Sequence, residues 1–159
     1  MVGCAGRAGD PNAKDPVERE RSGVEAVACF FPPTDLLALE GRATGEFAAP
    51  FDVRELDAHT GLYERVSRDR RRELGHELSP LTHVSNRSAP ALVIHGEKDT
   101  VVPIGQSRAL VTKLQKCGKA CELVVKPGAG HFWLGIEKDV PVLADWFDKH
   151  LGTQCHPVR

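Results

Sequence analysis

Between Pro90 and Gly152 the chain alternates two kinds of segment, and that rhythm limits its fold more than any other feature. Ala91-Leu92-Val93-Ile94-His95 is a short apolar run introduced by Pro90 and stopped by Gly96. Its length and sharp limits suit a buried parallel strand. Gln106 to Lys116 then reads as an amphipathic helix with Leu110, Val111 and Leu114 on one face, closed by Gly118. Glu122-Leu123-Val124-Val125-Lys126 is a second such strand, ended by Pro127-Gly128. Val140 to Leu151 follows as a helix with Pro141 in its first turn, Val142, Leu143, Trp146, Phe147 and Leu151 inward, and Gly152 as its stop. Strand, helix, strand, helix with short connections predicts a parallel α/β sheet.

A third strand is predicted upstream, where Val24-Glu25-Ala26-Val27-Ala28-Cys29-Phe30-Phe31 runs into Pro32-Pro33. Residues 1–23 are a polar lead-in rich in Gly, Asp, Arg and Pro. Residues 36–80 are heavily charged, with Leu36, Leu37, Phe47, Phe51, Leu56, Leu62, Tyr63 and Val66 spread irregularly, and read as short helices and loops inserted over one end of the sheet. The main domain is therefore expected over 24–151, with 152–159 as a tail.

Composition removes several classes of function. With 21 Lys+Arg against 22 Asp+Glu, the formal net charge is −1, which gives no general pull toward nucleic acid or anionic lipid. Two Trp, one Tyr and six Phe leave few platforms for stacking bases. No run approaches the roughly 18 apolar residues of a transmembrane helix. Met1 to Arg7 lacks the apolar stretch of a signal peptide, so neither a membrane nor a nucleic-acid partner is expected and the compartment stays unassigned. The five cysteines, Cys4, Cys29, Cys117, Cys121 and Cys155, are an odd number. Cys117 and Cys121 lack a second pair at zinc-finger spacing, so free thiols are expected, with Cys29 packed in its strand.

In an open parallel sheet, functional groups gather beyond the carboxyl ends of the strands. Two loops hold that position. His95-Gly96-Glu97-Lys98-Asp99-Thr100-Val101-Val102-Pro103 follows one strand, and Pro127-Gly128-Ala129-Gly130-His131-Phe132 follows the next. Neighbouring strands would bring Asp99 and His131 together. A carboxylate accepting from one imidazole nitrogen fixes the tautomer and leaves the other nitrogen free to take a proton.

These residues carry a resemblance. HGEKDTVVP, a strand, and then GAGH resemble the C-terminal part of an α/β-hydrolase, in the esterase and lipase branch related to acetyl-xylan and feruloyl esterases. VEAVACFFPPTDL resembles the strand and turn after the nucleophile helix, and SPLTHV the segment returning from the cap. The resemblance covers most of residues 24–150. It implies Asp99 as the triad acid and His131 as the triad base. Trp133, beside His131, is expected to line the substrate site, and no cofactor or metal is expected.

The chain departs from that pattern: it contains no G-x-S-x-G nucleophile elbow. Gly105-Gln106-Ser107-Arg108-Ala109 is the nearest string, but it follows the acid loop and places Ser107 in a helix, so Ser107 is not expected to be a nucleophile. An HGGG-type oxyanion loop is missing too. The expectation is a fragment holding the acid and base of a serine hydrolase that cleaves acyl esters, those of plant polysaccharides among them, and inactive by itself. A prolyl-oligopeptidase-like peptidase part and an inactive interaction module are the alternatives.

Other residues take structural readings. His95 is expected to bond locally, and Glu97 is the competing acid. A zinc site from His95, Asp99 and His131 has suitable ligand types but no close ligand pair on a helix. The run Arg68-Asp69-Arg70-Arg71-Arg72 reads as a solvated helix face, Asp35 as a cap and Trp146 as core. The absence of a strand partner beside 24–31 predicts self-association along that edge.

Overall fold

A computed structural model describes residues 3–39 and 53–152. Phe47 and Phe51 of the insertion, and Cys155 with the tail from residue 153, lie outside the described residues. The three predicted strands form one parallel sheet: β1 (Val27–Phe30), β4 (Ala91–Gly96) and β5 (Cys121–Lys126), in the order β1-β4-β5. Val27 lies beside Ala91, and Ala91 beside Cys121. β1 is shorter than its apolar run, beginning at Val27 rather than Val24. The strands follow one another across the sheet in chain order, with the inserted region separating β1 from its neighbour β4 in sequence.

β4 is the centre of the sheet, and all six of its residues are buried. Its alternate side chains serve opposite faces, as the strand period of two requires. Ala91 and Val93 pack with Leu110, Val111 and Leu114 of α4 (Gly105–Lys116), and Cys29 and Leu123 join them from the flanking strands. Leu92 and Ile94 face the other way, onto Trp146 of α5 (Val140–Leu151), with Ala28, Phe30, Val124, Leu143 and Phe147 around them. One helix covers each face, so the core has two halves separated by β4. Trp146 is core, as expected.

The lead-in contains one helical turn, α1 (Pro16–Arg19), capped by Asp15 through Val17 N at 2.8 Å. After β1, Asp35 accepts from Leu37 N and Ala38 N and so caps α2 (Leu36–Leu39). The expectation of short helices and loops in 36–80 lacks one element, an antiparallel ribbon of β2 (Arg54–Leu56) and β3 (Tyr63–Arg65). All six ribbon residues are exposed, so no buried face imposed an alternating pattern that sequence could show. Asp57 closes its turn by accepting from His59 N at 2.7 Å and Thr60 N at 2.8 Å, which pulls its carboxyl below the usual range. α3 (Arg68–Leu78) carries the arginine run. Arg70 pairs with Glu55 of the ribbon at 3.0 Å and with Glu73 at 3.3 Å, consistent with a solvated, charge-balanced face.

Among the described residues, no helix is long and apolar enough to cross a membrane. The four described cysteines are free thiols. Burial pushes the Cys29 thiol up to about 11, and Cys4 and Cys121 rise for the same reason.

Candidate active site

The loops after β4 and β5 leave the same edge of the sheet and are joined by their backbones. Glu97 N donates to Lys126 O at 3.0 Å and Lys98 N to Ala129 O at 2.8 Å. The Glu97 carboxylate adds a third link, accepting from Gly128 N at 2.9 Å. Glu97, the competing acid in the sequence, is thus occupied in fastening one loop to the other. Gly96 makes this closeness possible, since a Cβ there would lie 2.1 Å from Gly130 O and 2.6 Å from Ala129 O.

Asp99 sits in the turn after β4 and is only 6% exposed. Its Oδ1 accepts from Val101 N at 2.9 Å and Val102 N at 2.8 Å, which fixes the carboxylate plane. The remaining oxygen, Oδ2, faces His131 Nδ1 at 2.8 Å. Nδ1 therefore carries the hydrogen, because an ionised carboxylate only accepts. Nε2 makes no hydrogen bond among the described residues. The His131 side chain is 15% exposed while that of Asp99 is fully covered, so the imidazole is the accessible member of the pair. Such a pair can accept a proton at Nε2 and stabilise the resulting imidazolium through the carboxylate.

Phe31 follows β1 and closes the site from a third strand. Its ring centroid lies 4.2 Å from that of His131, tilted by 48°. Its φ of 35° is the only positive value among the described non-glycine residues. A bulky residue in that region is an outlier, and backbone strain of this kind concentrates at functional sites. Sequence reasoning missed Phe31. The proline after it signals an extended conformation, the opposite of what is found.

Trp133, expected in the substrate site, is partly buried and held from below. Its Nε1 donates to Asp139 Oδ2 at 3.0 Å, and its ring stands 5.9 Å from that of Phe30. Lys126 Nζ contacts the other Asp139 oxygen at 2.5 Å, so one buried carboxylate ties β5 to the loop that bears His131. Asp139 left no mark in the sequence, because its partners come from separate elements.

His95 bonds locally, as expected, through Val102 O at 2.8 Å from Nε2. Ser107 is completely buried, with its Oγ 2.6 Å from His95 Nδ1. It lies in the first turn of α4. No hydroxyl or thiol among the described residues is hydrogen-bonded to His131.

Known proteins resemble this chain over part of their length. A profile of the prolyl oligopeptidase family matches residues 48–154. An uncharacterized peptidase, YuxL of Bacillus subtilis, is 37% identical over 79 residues, covering 46% of this chain and 12% of its own length. Esterase LipQ of Mycobacterium tuberculosis is 32% identical over 119 residues, covering 71% of this chain and 25% of its own. Among solved structures, an acetyl ester-xyloside bifunctional hydrolase from Caldicellulosiruptor lactoaceticus superposes with a TM-score of 0.68 at 23% identity, over 93% of this chain and 50% of the hydrolase. A thermophilic esterase from Thermogutta terrifontis gives 0.61 at 20% identity, over 99% and 53%. The chain thus spans about half the length of these structures, and less of the curated relatives. The structural likeness gives the fold, and the profile, running from the insertion through the acid loop, the His131 loop and α5, gives the kinship: this chain belongs to the prolyl oligopeptidase family and carries part of an α/β-hydrolase fold.

Proposed function

We propose that this chain supplies the acid and base of a serine hydrolase acting on carboxylic esters. The observation that carries the reading is the Asp99 Oδ2–His131 Nδ1 contact of 2.8 Å, with Nε2 left unengaged at the carboxyl edge of a parallel sheet. In this reading His131 takes the proton of a serine hydroxyl as the hydroxyl attacks the ester carbonyl, then returns it to the departing alcohol. Asp99 holds the tautomer and stabilises the imidazolium between those transfers. The serine belongs to a part of the hydrolase that this chain does not contain, since G-x-S-x-G is absent from the sequence. Acyl esters of plant polysaccharide are the substrate class we favour, a reading supported by superposition on the acetyl ester-xyloside hydrolase and on a carbohydrate esterase from gut microbiota. Trp133, beside the base, would line the sugar side of that site. A peptidase activity is the second reading, supported by the family profile and by YuxL.

The test uses this chain as it stands and a version extended by the coding sequence upstream of Met1. Both are labelled with a fluorophosphonate and assayed on p-nitrophenyl acetate, acetylated xylan and dipeptidyl anilides. The expected result is ester turnover by the extended chain, abolished in His131→Ala, and rates barely above buffer for this chain alone. Saturable turnover by this chain, lost in Ser107→Ala, would overturn the assignment.

A further inference from the structure

Asp99 is held from two sides. His131 approaches Oδ2 from the loop after β5, and His95 approaches the same oxygen from the end of β4, with Nε2 at 3.2 Å. His95 is fully buried and has a defined partner at each nitrogen. Nε2 faces only acceptors, Val102 O at 2.8 Å and Asp99 Oδ2, so it carries the hydrogen. Nδ1 then accepts from the Ser107 hydroxyl at 2.6 Å. Val102 closes the circuit, because the residue whose carbonyl receives His95 Nε2–H also donates its own N–H to Asp99 Oδ1 at 2.8 Å.

We infer that His95, oriented by Ser107, is a positioning residue for the Asp99–His131 pair. It fixes the acid loop through Val102 and presents a second N–H dipole to Oδ2, so that the carboxylate cannot rotate away from His131. The inference rests on the proposed acid and base roles, and it gives a task to the two buried polar side chains those roles leave unused. A buried imidazole and hydroxyl with no such task would be costly polar substitutions for apolar core at the end of a central strand. The chain order is Ser107 Oγ–H to His95 Nδ1, His95 Nε2–H to Val102 O, Val102 N–H to Asp99 Oδ1, and Asp99 Oδ2 to His131 Nδ1–H.

The tautomer of His131 is the readout, followed by long-range proton–nitrogen correlation spectra of the histidine-labelled chain, with His131→Ala identifying the signal among seven histidines. The intact chain should show His131 as the Nδ1–H tautomer. His95→Phe, which keeps a ring of similar size but no donor, should lose that form in favour of Nε2–H. His95→Gln, whose amide nitrogen can reach the Nε2 position, should restore it. An unchanged His131 spectrum in folded His95→Phe would overturn the inference. Should His95→Phe fail to fold, Ser107→Ala decides: mixed tautomers at His95 together with partial loss of the His131 Nδ1–H signal support the relay, and unchanged spectra at both histidines refute it. None of these readings needs turnover. A responsive tautomer in a chain whose extended form cleaves no ester would leave the relay standing and remove the hydrolase assignment; turnover with an unresponsive tautomer would do the reverse.

Discussion

Cys29 shows how burial in a strand rewrites the chemistry of one side chain. It packs against the α4 side of the core, and its thiol donates to Leu92 O at 3.7 Å. Loss of hydration by the thiolate raises the group from its ordinary 9.0 to about 11, and the nearby Cys4 pushes in the same direction. The sign of the stability effect follows. The folded chain keeps this proton to higher pH than the unfolded chain does. The stabilisation is complete below pH 9.0 and disappears as pH rises through about 11. A shift of this size corresponds to about 2–3 kcal/mol. Urea midpoints measured at steps across this range should fall more steeply for the intact chain than for Cys29→Ala. The same shift keeps Cys29 in its poorly nucleophilic thiol form at neutral pH, so it is a packing residue rather than a reactive one.

At the scale of elements, the Asp99–His131 geometry depends on how closely the loops after β4 and β5 approach. Gly96 sets that approach, and the atoms a methyl group would meet there are backbone, which cannot swing aside. Gly96→Ala should therefore cost about 1–3 kcal/mol and separate Asp99 from His131. A urea titration checks the first effect, and loss of the His131 Nδ1–H signal checks the second. The elements themselves were largely legible. Pro90 and Gly96 bracket β4, Pro127-Gly128 ends β5, and α5 runs over Val140–Leu151 as predicted. Of the α5 side chains expected inward, however, only Leu143, Trp146 and Phe147 pack on the sheet, while Val142 and Leu151 are exposed because three strands are too narrow to cover the whole apolar face. The closeness of Asp99 and His131 was legible because each lies in the loop that follows one of two neighbouring strands. The supports around them were not. Glu97 to Gly128, Lys126 to Asp139 and Phe31 against His131 are contacts between residues far apart in sequence, and none repeats with a helical or strand period. The exposed ribbon escaped notice for a related reason, since its strands bury nothing.

For the whole molecule, the exposed edge of the sheet is the feature with the widest effect. Val27 N bonds to Pro90 O and Phe31 N to Ile94 O, so the peptide groups of Ala28 and Phe30 point away from β4, where no described strand receives them. An apolar cavity of about 320 Å³ lies alongside, lined by Val27, Cys29, Pro32, Ala91, Leu110 and Leu114. The lead-in reaches this flank, with Gly3 O accepting from Ala89 N at 2.8 Å, but it adds no strand to the edge. An unpaired edge next to apolar surface is a template for another chain. Self-association along residues 24–31 is the expected outcome at micromolar concentration, measured by sedimentation. A stable monomer with slow amide exchange at Ala28 and Phe30 would count against it.

The sheet order also dictates how the molecule must assemble. Joining β4 to β5 closes the span from Ala91 to Cys121, whereas joining β1 to β4 closes the longer one from Val27 to Ala91. Each doubling of a closed loop costs only about 0.6 kcal/mol more, but the entropy must be lost before any contact compensates it. The β4–α4–β5 segment is thus the natural nucleus, and it ends just short of His131. Asp99 lies within that segment and His131 on the loop directly after it, while β1, the strand with the open edge, makes the longer closure. Whatever joins that edge would meet an Asp99–His131 contact whose two loops are already adjacent.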